Sequence, residues 1–125
     1  MRRQRAIGSR VLENYDFLRK IAKSKSEKKR LSKLRNASKD ELLSLVEVAS
    51  NVLSSNFSLN NRQKERLVPH AEYIRKLARS RSEIGARKVV QTGNGAFLAS
   101  LLIPVVTEAA RLLLTNSSKG VVEDN

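Results

Sequence analysis

The sequence has no cysteine and no tryptophan, a single histidine and only 4% aromatic residues. Without cysteine there is no disulfide framework and no thiolate metal site, and the redox compartment cannot be read. His70 stands beside Pro69 with no companion at ligand spacing, so no metal is expected. The aromatics Tyr15, Phe17, Phe57, Tyr73 and Phe97 are scattered and form no base-stacking pair. Proline (2) and glycine (5) are also sparse, and no run has the strict alternation or β-branched density of a strand. Acidic residues number 12 against 25 Lys and Arg. Glu41, Glu47, Glu65, Glu72 and Glu83 have cations nearby and read as caps and ion pairs, not as a general acid–base pair. No catalytic residue and no cofactor is expected. The basic start Met1-Arg2-Arg3-Gln4-Arg5 is followed by no apolar signal-peptide core, so secretion is not expected.

What is abundant is positive charge. The net +13 on 125 residues exceeds what solubility needs, and self-repulsion of this size calls for an anionic partner. Nucleic acid is the commonest such partner and an anionic membrane surface the second. The charge lies in two blocks. Residues 1–35 hold 13 basic and 3 acidic side chains, and residues 61–90 hold 9 and 3. Residues 36–60 (1 and 3) and 91–125 (2 and 3) are slightly acidic. The cluster Lys25 to Arg35 also has the composition of a nuclear-import signal.

Periodicity predicts an all-α chain of one small domain. Residues 1–35 read as a basic helical arm, with Val11, Leu12, Tyr15, Leu18, Ile21 and Ala22 on one side and a second stretch over Glu27 to Leu34. Residues 36–91 read as a helical core carrying the second basic block. There Ser38 to Glu41 is a capping box, and Leu42, Leu45, Val46, Val48, Ala49, Val52 and Leu53 form a broad apolar face. Asn60 with Gln63 opens another helix, striped by Leu67, Ala71, Ile74, Leu77 and Ala78, with a kink or break at Pro69. Three or four helices thus span about residues 9–90. A glycine-containing hinge at 92–95, an apolar C-terminal helix at 96–115 and a frayed polar tail at 116–125 follow.

Cations recur every two or three residues at Arg19, Lys20, Lys23, Lys25, Lys28, Lys29, Arg30, Lys33 and Arg35, and again at Arg75, Lys76, Arg79, Arg81, Arg87 and Lys88. On helices this spacing makes stripes that follow a phosphate backbone, so these residues are the expected contacts to double-stranded DNA, bound without sequence preference. In the tail, Phe97, Leu98, Leu101, Leu102 and Val105 offer an apolar face to a membrane, to another protein or to the chain's own core. Ser100, Pro104, Thr107, Glu108, Arg111 and Thr115 interrupt it with a polar stripe that disfavours a spanning helix. Two alternatives stand beside DNA coating. One is a membrane-active amphipathic helix with a headgroup-binding basic domain; the other is a helix-turn-helix regulator built from residues 38–80.

Arg87-Lys88-Val89-Val90-Gln91, the glycine joint, and Phe97-Leu98-Ala99-Ser100-Leu101-Leu102-Ile103-Pro104 together resemble a known family. It comprises the adenovirus core protein precursor pX, which matures to the mu peptide, and the pX-like proteins of adintoviruses and Maverick/Polinton elements. The similarity covers about residues 31–114 and is best at 85–106. It implies a viral or transposon-encoded core protein that condenses DNA in the virion core and host nucleus, with capsid or other core proteins as partners of the C-terminal helix. It also implies a maturation protease, because Gln91-Thr92-Gly93-Asn94-Gly95 fits the adenovirus-type cleavage pattern, with scission between Asn94 and Gly95. The chain departs from the mammalian precursor in having a helical domain in place of a short Arg-rich peptide.

Overall fold

The computed structural model describes residues 8–54, 59–92 and 96–124, with the side chains of 92, 96, 97 and 115–124 excepted. All described elements are helical, and no strand occurs among the described residues. In order they are α1 (Ser9–Glu13), α2 (Tyr15–Lys23), α3 (Glu27–Arg35), α4 (Lys39–Leu53), α5 (Asn61–Leu67), a 3-10 turn (Val68–His70), α6 (Ala71–Arg79), α7 (Glu83–Thr92) and α8 (Ala96–Asp124). The helices before the joint are shorter and more numerous than periodicity alone suggests. Residues that bond their own backbone explain several of the breaks. At Asn14 the amide donates to the Arg10 carbonyl (2.9 Å) and to Asp40 Oδ2 (2.8 Å), which parts α1 from α2 and ties both to the start of α4. Ser26 and Ser82 each open a helix by accepting a backbone N–H, from Lys29 (3.2 Å) and Gly85 (3.1 Å).

The two capping boxes form as the sequence indicates. Ser38 Oγ accepts from the Glu41 amide (3.1 Å) while Glu41 Oε1 accepts from the Ser38 amide (2.8 Å). Asn60 and Gln63 exchange the same pair of bonds at 2.8 and 2.9 Å. At Pro69, which lacks an N–H, the α-helix gives way to the 3-10 turn. The backbone of α8 runs beyond residue 115 to Asp124. Once the packed segment has nucleated the helix, further turns need no new nucleus.

The core draws on both sides of the joint. Leu18 and Ile21 of α2, Leu42, Leu45 and Val48 of α4, Ile74 and Leu77 of α6, and Leu98, Leu101, Leu102 and Val105 of α8 are all buried. The two most extensive packings are α2 along α8 and α6 along α4. The first helices of each half, α1 and α5, lie on α4 and α8 respectively, and α3 meets α7 as α4 meets α8.

That reciprocity reflects an internal repeat. Shifting the chain by 56 positions (75 − 19) lays Asp16-Phe17-Leu18-Arg19-Lys20-Ile21-Ala22-Lys23-Ser24-Lys25-Ser26-Glu27 on Glu72-Tyr73-Ile74-Arg75-Lys76-Leu77-Ala78-Arg79-Ser80-Arg81-Ser82-Glu83. Every pair in that register is identical or chemically conservative. The backbone agrees: Ser24 has φ −68, ψ 127 and Ser80 φ −66, ψ 132, while Asn14 (−104, 21) matches His70 (−109, 11). Burial agrees too, at Val11 and Leu67, Leu34 and Val90, Leu42 and Leu98, Leu45 and Leu101, and Ala49 and Val105. Helices α1–α4 and α5–α8 are therefore two copies of one unit. The second helix of each copy packs on the fourth helix of the other, the pattern an approximate two-fold axis generates.

Leu45 and Leu101 occupy equivalent, fully buried positions. Replacing either by Ala should lower stability by about 2–5 kcal/mol, measured by urea unfolding. A loss below about 1 kcal/mol for Leu101→Ala alone would mean that α8 is not part of the core.

Candidate nucleic-acid interface

Burial of one face fixes where the charge goes. In α2 the buried Leu18, Ile21 and Ala22 leave Arg19, Lys20 and Lys23 exposed, and in α6 the buried Ile74 and Leu77 leave Arg75, Lys76 and Arg79 exposed. Each helix ends in a three-residue corner, Ser24-Lys25-Ser26 or Ser80-Arg81-Ser82, whose central cation is exposed. Four cations thus recur at matched places: Arg19 with Arg75, Lys20 with Lys76, Lys23 with Arg79, Lys25 with Arg81. The first arm continues into α3 with exposed Lys28, Lys29, Lys33 and Arg35. The second does not, because Ile84, Gly85, Val89 and Gln91 stand at those positions, and exposed Lys88 is its only cation on α7 open to solvent.

Most of these charges have no carboxylate beside them. The ion pairs among the described residues are Arg10–Asp40 (3.1 Å), Arg75–Glu72 (3.7 Å), Arg87–Glu83 (2.6 Å) and Arg111–Glu108. Only Arg75 and Arg87 of the expected phosphate contacts appear in that set. The Arg75 pair is long and solvent-exposed, so it costs little to exchange for a phosphate. Lys76 Nζ sits 5.9 Å from the centre of the Tyr73 ring, which orients it without neutralising it. The hydrogen bond and charge of Glu108 raise the pKa of the Arg111 guanidinium.

Two expected phosphate contacts serve the fold instead. Arg87 donates from Nη1 to the carbonyls of Leu34 (3.3 Å) and Arg35 (2.8 Å), and from Nη2 to Ala37 O (3.0 Å) and Glu83 Oε2 (2.6 Å). It closes the C-terminal end of α3, where orphan carbonyls and the negative pole of the helix favour a cation. Arg30 is only 8% exposed and donates from Nη2 to the Ser24 carbonyl at 2.6 Å, while its Nε has no partner. It braces the first corner from inside.

Of the placements open to the apolar residues of the tail (a membrane, another protein or the chain's own core), the described ones take the core. Leu98, Leu101, Leu102 and Val105 are fully buried among the bundle helices. The side chain of Phe97 and the cleavage residues Asn94 and Gly95 fall outside the described residues. No described helix is long and apolar enough to cross a membrane. No group of His, Asp or Glu among the described residues could hold a metal. The two corner serine pairs, which helical periodicity does not mark, recur at the same 56-residue spacing.

No family model, no curated protein and no solved structure matches the chain.

The different placements of the arginines have a direct consequence. Arg87→Ala should cost about 1.5–3 kcal/mol in urea unfolding, the range for hydrogen bonds to a charged group. Exposed Arg81→Ala should stay within about 0.5 kcal/mol of the parent. The reverse ranking would contradict the structural role of Arg87.

Proposed function

We propose that this chain is a non-enzymatic protein that coats and helps condense double-stranded DNA without sequence preference. The observation that carries this reading is the outward display of cations, all but Arg75 without an ion-pair partner among the described residues, on α2, α3 and α6 of a well-cored domain. A solvated face ordinarily carries both signs, whereas these faces carry mainly one. The scattered aromatics supply no base-stacking platform, which favours phosphate contact over base reading. The resemblance at residues 85–106 supports the more specific form of the proposal: a pX-like core protein of adenoviral, adintoviral or Maverick/Polinton type, acting in the virion core and host nucleus. Exposed Ile103, Thr107, Arg111 and Leu114 follow one another at helical spacing along the outer side of α8. That line is the part of α8 left for a capsid or core-protein partner.

Maturation between Asn94 and Gly95 remains part of the proposal, with a changed consequence. Because α8 packs along α2 and against α5 and α4, cutting the joint nicks the domain and does not free a tail. The helices on either side of the joint, α7 and α8, both pack within the domain. The two fragments of a chain nicked there should elute together in size-exclusion chromatography and separate only in denaturant. Separation under native conditions would contradict this.

Gel shifts on unrelated duplexes test the DNA reading. A protein neutralising 6–10 phosphates loses roughly 10³–10⁵ in affinity between 50 and 200 mM salt. We expect a loss in that range, equal across sequences. Binding that ignores salt, or one strongly preferred sequence, would overturn the proposal, the latter in favour of a regulator.

A further inference from the structure

We infer that the chain is bivalent: its two copies of the repeat carry two equivalent phosphate-binding arms, and one molecule bridges two segments of duplex. This rests on the DNA reading proposed above and adds to it the number and placement of the binding elements. The arms are Arg19, Lys20, Lys23 and Lys25 in the first copy, and Arg75, Lys76, Arg79 and Arg81 in the second. All eight are exposed.

Three observations carry the inference. First, the shared surface cations are those that the two arms hold in the same register, while the cation Arg87, which closes α3, has Leu31 as its counterpart and is not shared. The four outward cations of each second helix and its corner repeat, whereas the inward Arg30 and Arg87 and the exposed cations of α3 do not. Second, the backbone at the two corners is the same. Ser24 N donates to Ile21 O and Ser80 N to Leu77 O; Arg30 N donates to Ser26 O (3.0 Å) and Ala86 N to Ser82 O (3.1 Å). Each corner cation is thus presented on an equivalent turn.

Third, the arms point to different places. Arg87 and Glu83, in the first half of α7, come together at the last carbonyls of α3, so the N-terminal half of α7 lies against the C-terminal end of α3. The first corner, at the N-terminal end of α3, is at the far end of that helix from the contact, whereas the second corner adjoins it. At about 1.5 Å of rise per residue, the 9 residues of α3 set the first corner roughly 13 Å from that contact. The helices behind the corners lie on different partners, α2 on α8 and α6 on α4. A single stripe would favour one backbone; two separated, equivalent arms can hold two.

The test is a capture assay with the full chain. A biotinylated duplex is immobilised, the protein is added at low salt, and retention of a second, fluorescent duplex is measured. One variant reverses the first arm (Arg19→Glu, Lys20→Glu, Lys23→Glu, Lys25→Glu) and another the second (Arg75→Glu, Lys76→Glu, Arg79→Glu, Arg81→Glu). Circular dichroism confirms that both remain folded, and Gln replacements at the same positions serve if either does not. Parent protein should retain the second duplex. Each one-arm variant should still bind the immobilised duplex but retain at least tenfold less of the second. An equimolar mixture of the two variants should not recover capture, because each molecule needs both arms. Recovery by the mixture, or undiminished capture by either variant alone, would overturn bivalency within one chain. Parent protein that binds the first duplex without retaining the second would also overturn it, whereas parent protein that binds neither would sink the DNA reading itself. A gain-of-function variant completes the set. Ile84→Lys with Gly85→Lys restores to the second arm the counterparts of Lys28 and Lys29. Ile84 is 75% exposed, and a Cβ at Gly85 meets nothing closer than 3.4 Å. On the first-arm reversal background this variant should bind duplex severalfold more tightly; no gain would argue against the second arm as a binding element.

Discussion

The reciprocal packing of α2 on α8 and of α6 on α4 is the contact on which the rest of the structure depends. Of these helices, α2 and α6 each have a buried face and an opposite cationic face. Seating the apolar side of α2 on α8 leaves Arg19, Lys20 and Lys23 with nowhere to go but outward, and seating α6 on α4 does the same for Arg75, Lys76 and Arg79. The core and the charge display are therefore one feature. Burial of Leu18, Ile21, Ile74 and Leu77 offsets the repulsion that so many unpaired cations impose on a small domain. Neutralisation by a polyanion would remove that repulsion, so binding and stability are coupled through the same helices.

The exchange between halves also changes the meaning of the glycine joint. As a sequence, Gln91 to Gly95 divides a basic region from an apolar one. In the fold, the apolar region fills the space beside the basic one, and α8 stands to the second copy as α4 stands to the first. Leu98, Leu101 and Val105 repeat the burial of Leu42, Leu45 and Ala49. A hydrophobic tail available to a membrane would have to leave behind an open core.

Much of this was legible in the residues. The capping boxes at Ser38 and Asn60, the break at Pro69 and the apolar faces of α4 and α6 follow from local rules that act within a few residues. Charge blocks and candidate cations were equally plain, since exposure follows from the buried stripe opposite. What local rules could not give was partnership. Arg87 looks in sequence like any other cation near Lys88, and only the arrival of α3's last carbonyls makes it structural. Arg30 likewise depends on the corner folding back over it. The docking of α8 is open in the sequence, because a long apolar helix packs equally well on lipid, a partner or its own domain. The 56-residue register resolves this last ambiguity without any tertiary information. Periods of three and four residues mask this longer one.

Two equivalent arms on a single, internally duplicated domain is the central claim. It is tested most directly by NMR titration of the full chain with a short duplex, following backbone amides. The account predicts two clusters of shifted amides in matching register, one around residues 19–29 and one around 75–81, with the buried residues of α4 and α8 little changed. Perturbation confined to one cluster, or centred on α8, would contradict it.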